Sequence, residues 1–143
     1  MIINMHLLDT NVLTALYLGN PKIITALSQL DGSQVSITII TKVELLRGRI
    51  EYLLKAERGE SVLRAQALLF ETERRLNQIN IIPFNADAIA QFEILVPNPS
   101  LRKSGRADLL IASIALANRA TLVTRNLKDF QRIPNLRLIN WFD

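Results

Sequence analysis

His6-Leu7-Leu8-Asp9-Thr10-Asn11-Val12-Leu13 runs from apolar residues into a carboxylate and out again into apolar positions at helical spacing. Residues 3–8 read as a buried strand, and Asp9 or Thr10 as the cap of a helix carrying Val12, Leu13, Leu16 and Tyr17. Open parallel sheets bind ligands at the carboxyl ends of their strands, which is where Asp9 falls. A plain N-cap, stabilising by about 1 kcal/mol, also accounts for an aspartate here. The remaining acids decide between the two readings.

Three more carboxylates interrupt apolar stretches. Glu44 lies within Ile39-Ile40-Thr41-Lys42-Val43-Glu44-Leu45-Leu46, Asp108 opens a run ending at Leu116, and Asp129 follows Leu122-Val123-Thr124-Arg125-Asn126-Leu127-Lys128. An ionised carboxylate inside a protein is costly unless it is paired or bound to a metal. No Lys or Arg is built into the apolar segments around Asp9 or Asp108. Glu44 has its own local explanation, a capping box with Thr41, and Asp129 could cap a helical turn before Pro134. Asp108 is harder to explain locally, because it shares a helix face with Ile111, Ala112 and Ala115 and so points toward the core. Several such acids along one chain suggest a convergent site for a hard divalent cation. Thr124 and Asn126 add short oxygen-bearing side chains that could steady a carboxylate or a bound water.

Elsewhere the pattern alternates between strands and helices. Val35, Ile37 and Ile39 predict a strand; Leu46, Ile50, Leu53 and Leu54 predict a long helix that Gly59 breaks and Ser61 restarts through Leu76. Residues 79–83 predict a strand, Asn85 a cap for a helix bearing Ala88, Phe92, Leu95 and Val96, and residues 97–100 a loop. A helix over residues 105–119 leads into strands over 120–124 and 137–141. Strands separated by helical segments imply crossovers and a parallel sheet covered on both faces.

The 143 residues, 49% hydrophobic and 21% charged, suit one globular domain rather than a disordered chain. Without cysteine there are no disulfides, thiol nucleophiles or cysteine-bound zinc. No apolar run reaches the length of a membrane span, and residues 1–10 lack the features of a secretory leader, so a cytoplasmic protein with no membrane association is expected. Of the net charge of +4, the segment from Ile94 onward holds more than its share, with eight Lys or Arg against three acids. Basic residues beside a metal site favour a polyanionic substrate. His6, the sole histidine, lies inside the first strand and reads as a packing residue.

Four segments together resemble the PIN-domain ribonucleases, and their order and spacing resemble the VapC-type toxins of toxin–antitoxin pairs. They are Leu7-Leu8-Asp9-Thr10-Asn11-Val12-Leu13, Thr41-Lys42-Val43-Glu44-Leu45, Ala107-Asp108-Leu109-Leu110-Ile111-Ala112 and Thr124-Arg125-Asn126-Leu127-Lys128-Asp129-Phe130. The resemblance covers essentially the whole chain as a single domain, 1–143. It implies a three-layer α/β/α fold with a central parallel sheet of about five strands. It also implies Mg²⁺- or Mn²⁺-dependent endonucleolytic cleavage of RNA, with Asp9, Glu44, Asp108 and Asp129 at the metal-binding positions and Thr124 and Asn126 in support. A small VapB-like antitoxin and a homodimer are the partners it implies. Ala107 stands where many relatives carry a polar residue, and residues 47–78 match no family motif. In the family's sheet order, the strands that end at Asp9 and Thr124 are neighbours at the topological switch point.

Water, acidified by a cation, is the expected nucleophile. Arg102, Lys103 and Arg106, just before Asp108, are expected to hold flanking phosphates. A receiver-type phosphoacceptor would want paired acids after the first strand, and an aspartyl phosphatase Asp-x-Asp; the chain has Asp9-Thr10-Asn11. The remaining alternative is a catalytically silent PIN-like module that binds RNA or protein. Leu45, Leu53, Leu68 and Leu69 do not all fit one core stripe, which leaves room for a partner-binding groove or a dimer contact.

Overall fold

Among the described residues five short parallel strands carry the fold, and the hydrophobic alternation of the first shows how. The computed structural model describes residues 4–143. In strand β1 (His6–Leu8), Leu7 packs on one face with Leu122, its register partner on β4 (Thr121–Val123). Leu8 packs on the opposite face with its own partner, Val123. Both leucines are fully buried, as expected of a central parallel strand covered on both sides. The expected start of this strand at Ile3 lies outside the described residues.

The sheet order is β3-β2-β1-β4-β5, every neighbouring pair parallel. Helices α1 (Thr10–Tyr17) and α2 (Pro21–Ser28) connect β1 to β2 (Val35–Thr38); α3 (Ile39–Lys55) and α4 (Gly59–Leu76) connect β2 to β3 (Asn80–Ile82). These four cover the Leu8 face through Val12, Leu13, Ile23, Leu45 and Leu76. The chain then crosses to the Leu7 face with α5 (Ala86–Leu95) and α6 (Arg106–Ala117), which contribute Ala88, Leu95, Ile111, Ala112 and Ala115. Helix α7 (Leu127–Phe130) precedes β5 (Arg137–Ile139). The result is the three-layer α/β/α arrangement, wound in opposite directions from the β1–β4 junction.

Several boundaries differ from expectation for local reasons. Helix α2 carries a signal that the hydrophobic pattern hides: Asn20 caps it by accepting from the Lys22 and Ile23 amides, with Pro21 in the first turn. Just before it, Gly19 ends α1 at φ 81°, with its amide bonding the Leu16 carbonyl and the Asn20 amide that of Ala15. Ile39 belongs to α3 rather than to a strand, because the Thr38 hydroxyl accepts from the Thr41 amide at 3.1 Å and starts the helix there. The capping box expected of Thr41 and Glu44 therefore does not form; Thr41 is already the third helical residue and Glu44 stands in the second turn. Gly59 opens α4 rather than ending a helix, and Ser61 lies within that helix. Among the four leucines that fitted no single stripe, Leu45 is core and Leu68 exposed. The exposed apolar side chains of α3 and α4 are Val43, Ile50, Tyr52, Leu54, Val62, Leu63, Leu68 and Phe70.

Candidate metal centre

The acids approach one another because the switch point opens a crevice between the ends of β1 and β4. Backbone pairing fixes both ends: the Asp9 amide donates to the Val123 carbonyl and the Thr124 amide to that of Ile139, each at 3.0 Å. Asp9 caps α1, its Oδ1 accepting from the Val12 amide at 2.9 Å. The capping and functional readings are thus compatible, since one oxygen serves the helix and the carboxylate still borders a cavity of about 200 Å³. Glu44 and Asp108 border the same cavity, with Thr10, Asn11 and Asn126 around it and Ile111 and Phe130 as its apolar wall. Asp129 is exposed and lines an adjoining cleft, and Asp108 forms part of the wall of both.

Burial and repulsion act together on these groups. Burial pushes the Asp9 carboxyl above the ordinary carboxylate value, and the charge of Glu44 adds to the rise. The Thr124 hydroxyl and the Val12 and Asn11 amides hold it back by favouring the ionised form. Asp108 is raised as well, first by burial and then by Asp129, Glu44 and Asp9 in turn. All four acids therefore act on one electrostatic centre, although Asp129 reaches it only across Asp108. None of them takes part in a salt bridge among the described residues, where ion pairs join only Arg47 to Glu51 and Arg74 and Arg75 to Glu71.

Among the described residues, the acids ring the cavity without three of them closing into a preformed ligand cage. A hard divalent cation that keeps several of its waters needs only one or two protein carboxylates directly. The donors are all oxygen, which suits a hard cation and not a soft one.

Supporting side chains are arranged around this set. Thr124 is fully buried, and its hydroxyl accepts from the Asn126 amide at 3.0 Å, fixing the turn that presents Asn126 to the cavity. Thr10 was not among the expected site residues, yet its hydroxyl donates to Glu44 Oε1 at 2.7 Å. The Asp-Thr-Asn triplet held that signal, because the residue after the cap lies in the first turn beside the crevice. Thr10→Val is expected to release Glu44 and reduce metal-dependent activity roughly 10-fold or more, as loss of outer-shell support does elsewhere. Activity measured against Mg²⁺ concentration checks this; a parental metal dependence would count against it.

The basic residues divide. Lys103 lines the cleft next to the acids, joined there by Lys128 and Arg132 from the α7 region. Arg102 is exposed and borders neither cavity, and the Arg106 guanidinium lies over the Phe92 ring at 5.6 Å. His6 is packed on Trp141 with ring centroids 6.0 Å apart, and it does not border the acidic cavity.

Comparison with known proteins bears on what this centre belongs to. The sequence model of the PIN domain matches residues 6–136. The chain belongs to the PIN domain family. This PIN domain is 34% identical to Ribonuclease VapC1 of Haemophilus influenzae (strain R2866), over 95% of the chain and 97% of that protein. It is 33% identical to Ribonuclease VapC2 of Rickettsia felis, with the same coverage. Among solved structures it resembles VapBC2 from Rickettsia felis bound to a promoter DNA fragment, with a TM-score of 0.75, 32% identity and coverage of 96% and 98%. VapBC-1 from nontypeable Haemophilus influenzae gives 0.74 at 29% identity, covering 97% of this chain and 99% of that one. Among the described residues, no helix of this PIN domain is long and apolar enough to cross a membrane.

Proposed function

We propose that this PIN domain is a divalent-metal-dependent endoribonuclease and the toxin of a toxin–antitoxin pair, acting in the cytoplasm. The observation that carries the proposal is the group of unpaired, mutually repelling acids at the switch point, where Asp9 and Asp108 are both held above their ordinary proton affinity. The names of its relatives, ribonucleases among them, support RNA as the substrate.

Asp9, Glu44 and Asp108, with Asp129 at the rim, would hold the cation, Mg²⁺ or alternatively Mn²⁺. Bound there, it would supply charge neutralisation at the phosphodiester and a more acidic water. The chain's own residues do the rest. Asp9 is immobilised by its capping bond, Glu44 is aimed by Thr10, and the Asn11 and Asn126 side chains border the space a phosphate would enter. Ile111 and Phe130 give that space an apolar wall. Water is the nucleophile: the chain has no cysteine, and its one histidine is stacked on Trp141 away from the acids.

The exposed apolar side chains of α3 and α4 offer a surface for an antitoxin segment or a second copy of the chain. A toxin–antitoxin complex from Klebsiella pneumoniae is among the solved structures this chain resembles, at 27% identity and a TM-score of 0.70, which favours a partner of that kind.

The test is incubation of the purified protein with single-stranded RNA and tRNA in Mg²⁺, with and without EDTA. Cleavage that EDTA stops supports the reading. A folded protein that binds RNA and leaves it whole points to a silent binding module instead.

A further inference from the structure

Lys103, Lys128 and Arg132 come from two separate stretches of chain and converge on one cleft of about 420 Å³. All three are exposed, and none forms an ion pair among the described residues, even though Asp129 shares the cleft. Other basic side chains of the same half of the molecule are engaged by the fold. Arg106 lies over Phe92, Arg125 over Phe142 at 4.9 Å, and the Arg137 guanidinium donates to the Arg119 carbonyl. Among the described residues, these three are the basic residues that line the cleft beside the acidic centre. Asp108 walls both spaces, so the two lie side by side.

A cavity ringed by carboxylates repels a polyanion, and basic residues next to it add to the charge a bound cation would offset. We propose that the Lys103–Lys128–Arg132 cleft holds a backbone phosphate of single-stranded RNA neighbouring the one that is cut, so that the substrate runs from the acidic cavity past Asp108 toward α7. This rests on the nuclease reading. It adds two substrate-positioning residues, Lys128 and Arg132, and fixes the direction in which the strand leaves the site. Lysine and arginine contacts to phosphate set affinity and register without reading sequence.

The experiment follows the anisotropy of a fluorescein-labelled single-stranded oligoribonucleotide of mixed sequence over a series of KCl concentrations, with Mg²⁺ present. Asp9→Asn provides the non-cleaving background, and Glu44→Gln a second one should the first fold poorly. Lys128→Gln and Arg132→Gln each weaken binding and each lower the slope of log affinity against log salt by about 0.7. Lys128→Arg restores both, and Arg119→Gln, outside both cavities, leaves both at the parental value. In the cleaving protein the same substitutions raise KM more than they lower kcat. If the double variant keeps parental affinity and slope while the background protein binds RNA, the cleft assignment is overturned and the nuclease reading stands. Loss of binding to an acidic protein partner with RNA affinity and slope unchanged overturns it too. If the unsubstituted protein neither binds nor cuts RNA, both readings go.

Discussion

Asp9→Asn is expected to abolish RNA cleavage and to leave the fold in place. Asparagine is nearly isosteric with aspartate and caps helices as well, so the bond to the Val12 amide survives. What disappears is one negative charge in the centre where metal binding depends on charge. Residues that only support a metal ligand cost 10- to 100-fold when lost, so removal of a ligand should lower kcat/KM by more than about 100-fold. In EDTA the same substitution stabilises the protein, because it removes a buried charge that Glu44 repels. For a chain of this size each kcal/mol so relieved raises the melting temperature by roughly 2–4 °C. Steady-state kinetics and thermal unfolding on one preparation check both halves. Parental activity in a folded variant would remove Asp9 from the chemistry.

Metal and pH should act on stability in opposite senses. Asp9 and Asp108 have folded-state values above their ordinary ones, so the folded protein binds protons more tightly there than the unfolded chain does. Their contribution to stability is therefore lost as pH rises through the raised values and regained as pH falls toward the ordinary value. Without metal, the melting temperature should fall as pH rises through the raised values, as far as these groups determine it. Glu71 opposes this only in stronger acid, since its hydrogen bonds to Arg74 and Arg75 bring it down to about 2. At neutral pH, a cation at about 100 times its dissociation constant stabilises by about 2.7 kcal/mol, or roughly 5–11 °C here. The pH trend should flatten in saturating Mg²⁺ and largely vanish in Asp9→Asn/Asp108→Asn. A trend unchanged by both metal and substitution would place its origin elsewhere.

The centre of the sheet was the most legible part of the sequence. Leu7 and Leu8 read as part of a buried strand, and an acid directly after such a strand falls where open parallel sheets bind ligands. Asp108 was legible for a similar reason, since its spacing to Ile111, Ala112 and Ala115 turned it inward. Boundaries set by competing hydroxyls were less so. Thr38 and Thr41 are both plausible caps, and only the end of β2 selects the first, which moves Glu44 from a capping role into the crevice. Helix α2 was missed although Asn20-Pro21 announces it; of its apolar residues Ile23, Ile24, Ala26 and Leu27, only Ile23 is buried. The basic residues show the limit of counting charges along a chain. Arg106 and Lys103 are near neighbours in sequence, yet one is drawn over an aromatic ring and the other faces the cleft. Lys128 and Arg132 join Lys103 only because α7 returns to the start of α6.

Calorimetric titration of Mg²⁺ or Mn²⁺ into the EDTA-stripped protein at neutral pH, repeated with Asp108→Asn, tests most directly whether these acids form a metal centre. Saturable binding by the parent, abolished or weakened more than about 100-fold in the variant, is the expected result. Binding of equal strength in both proteins, or none in either, would contradict it.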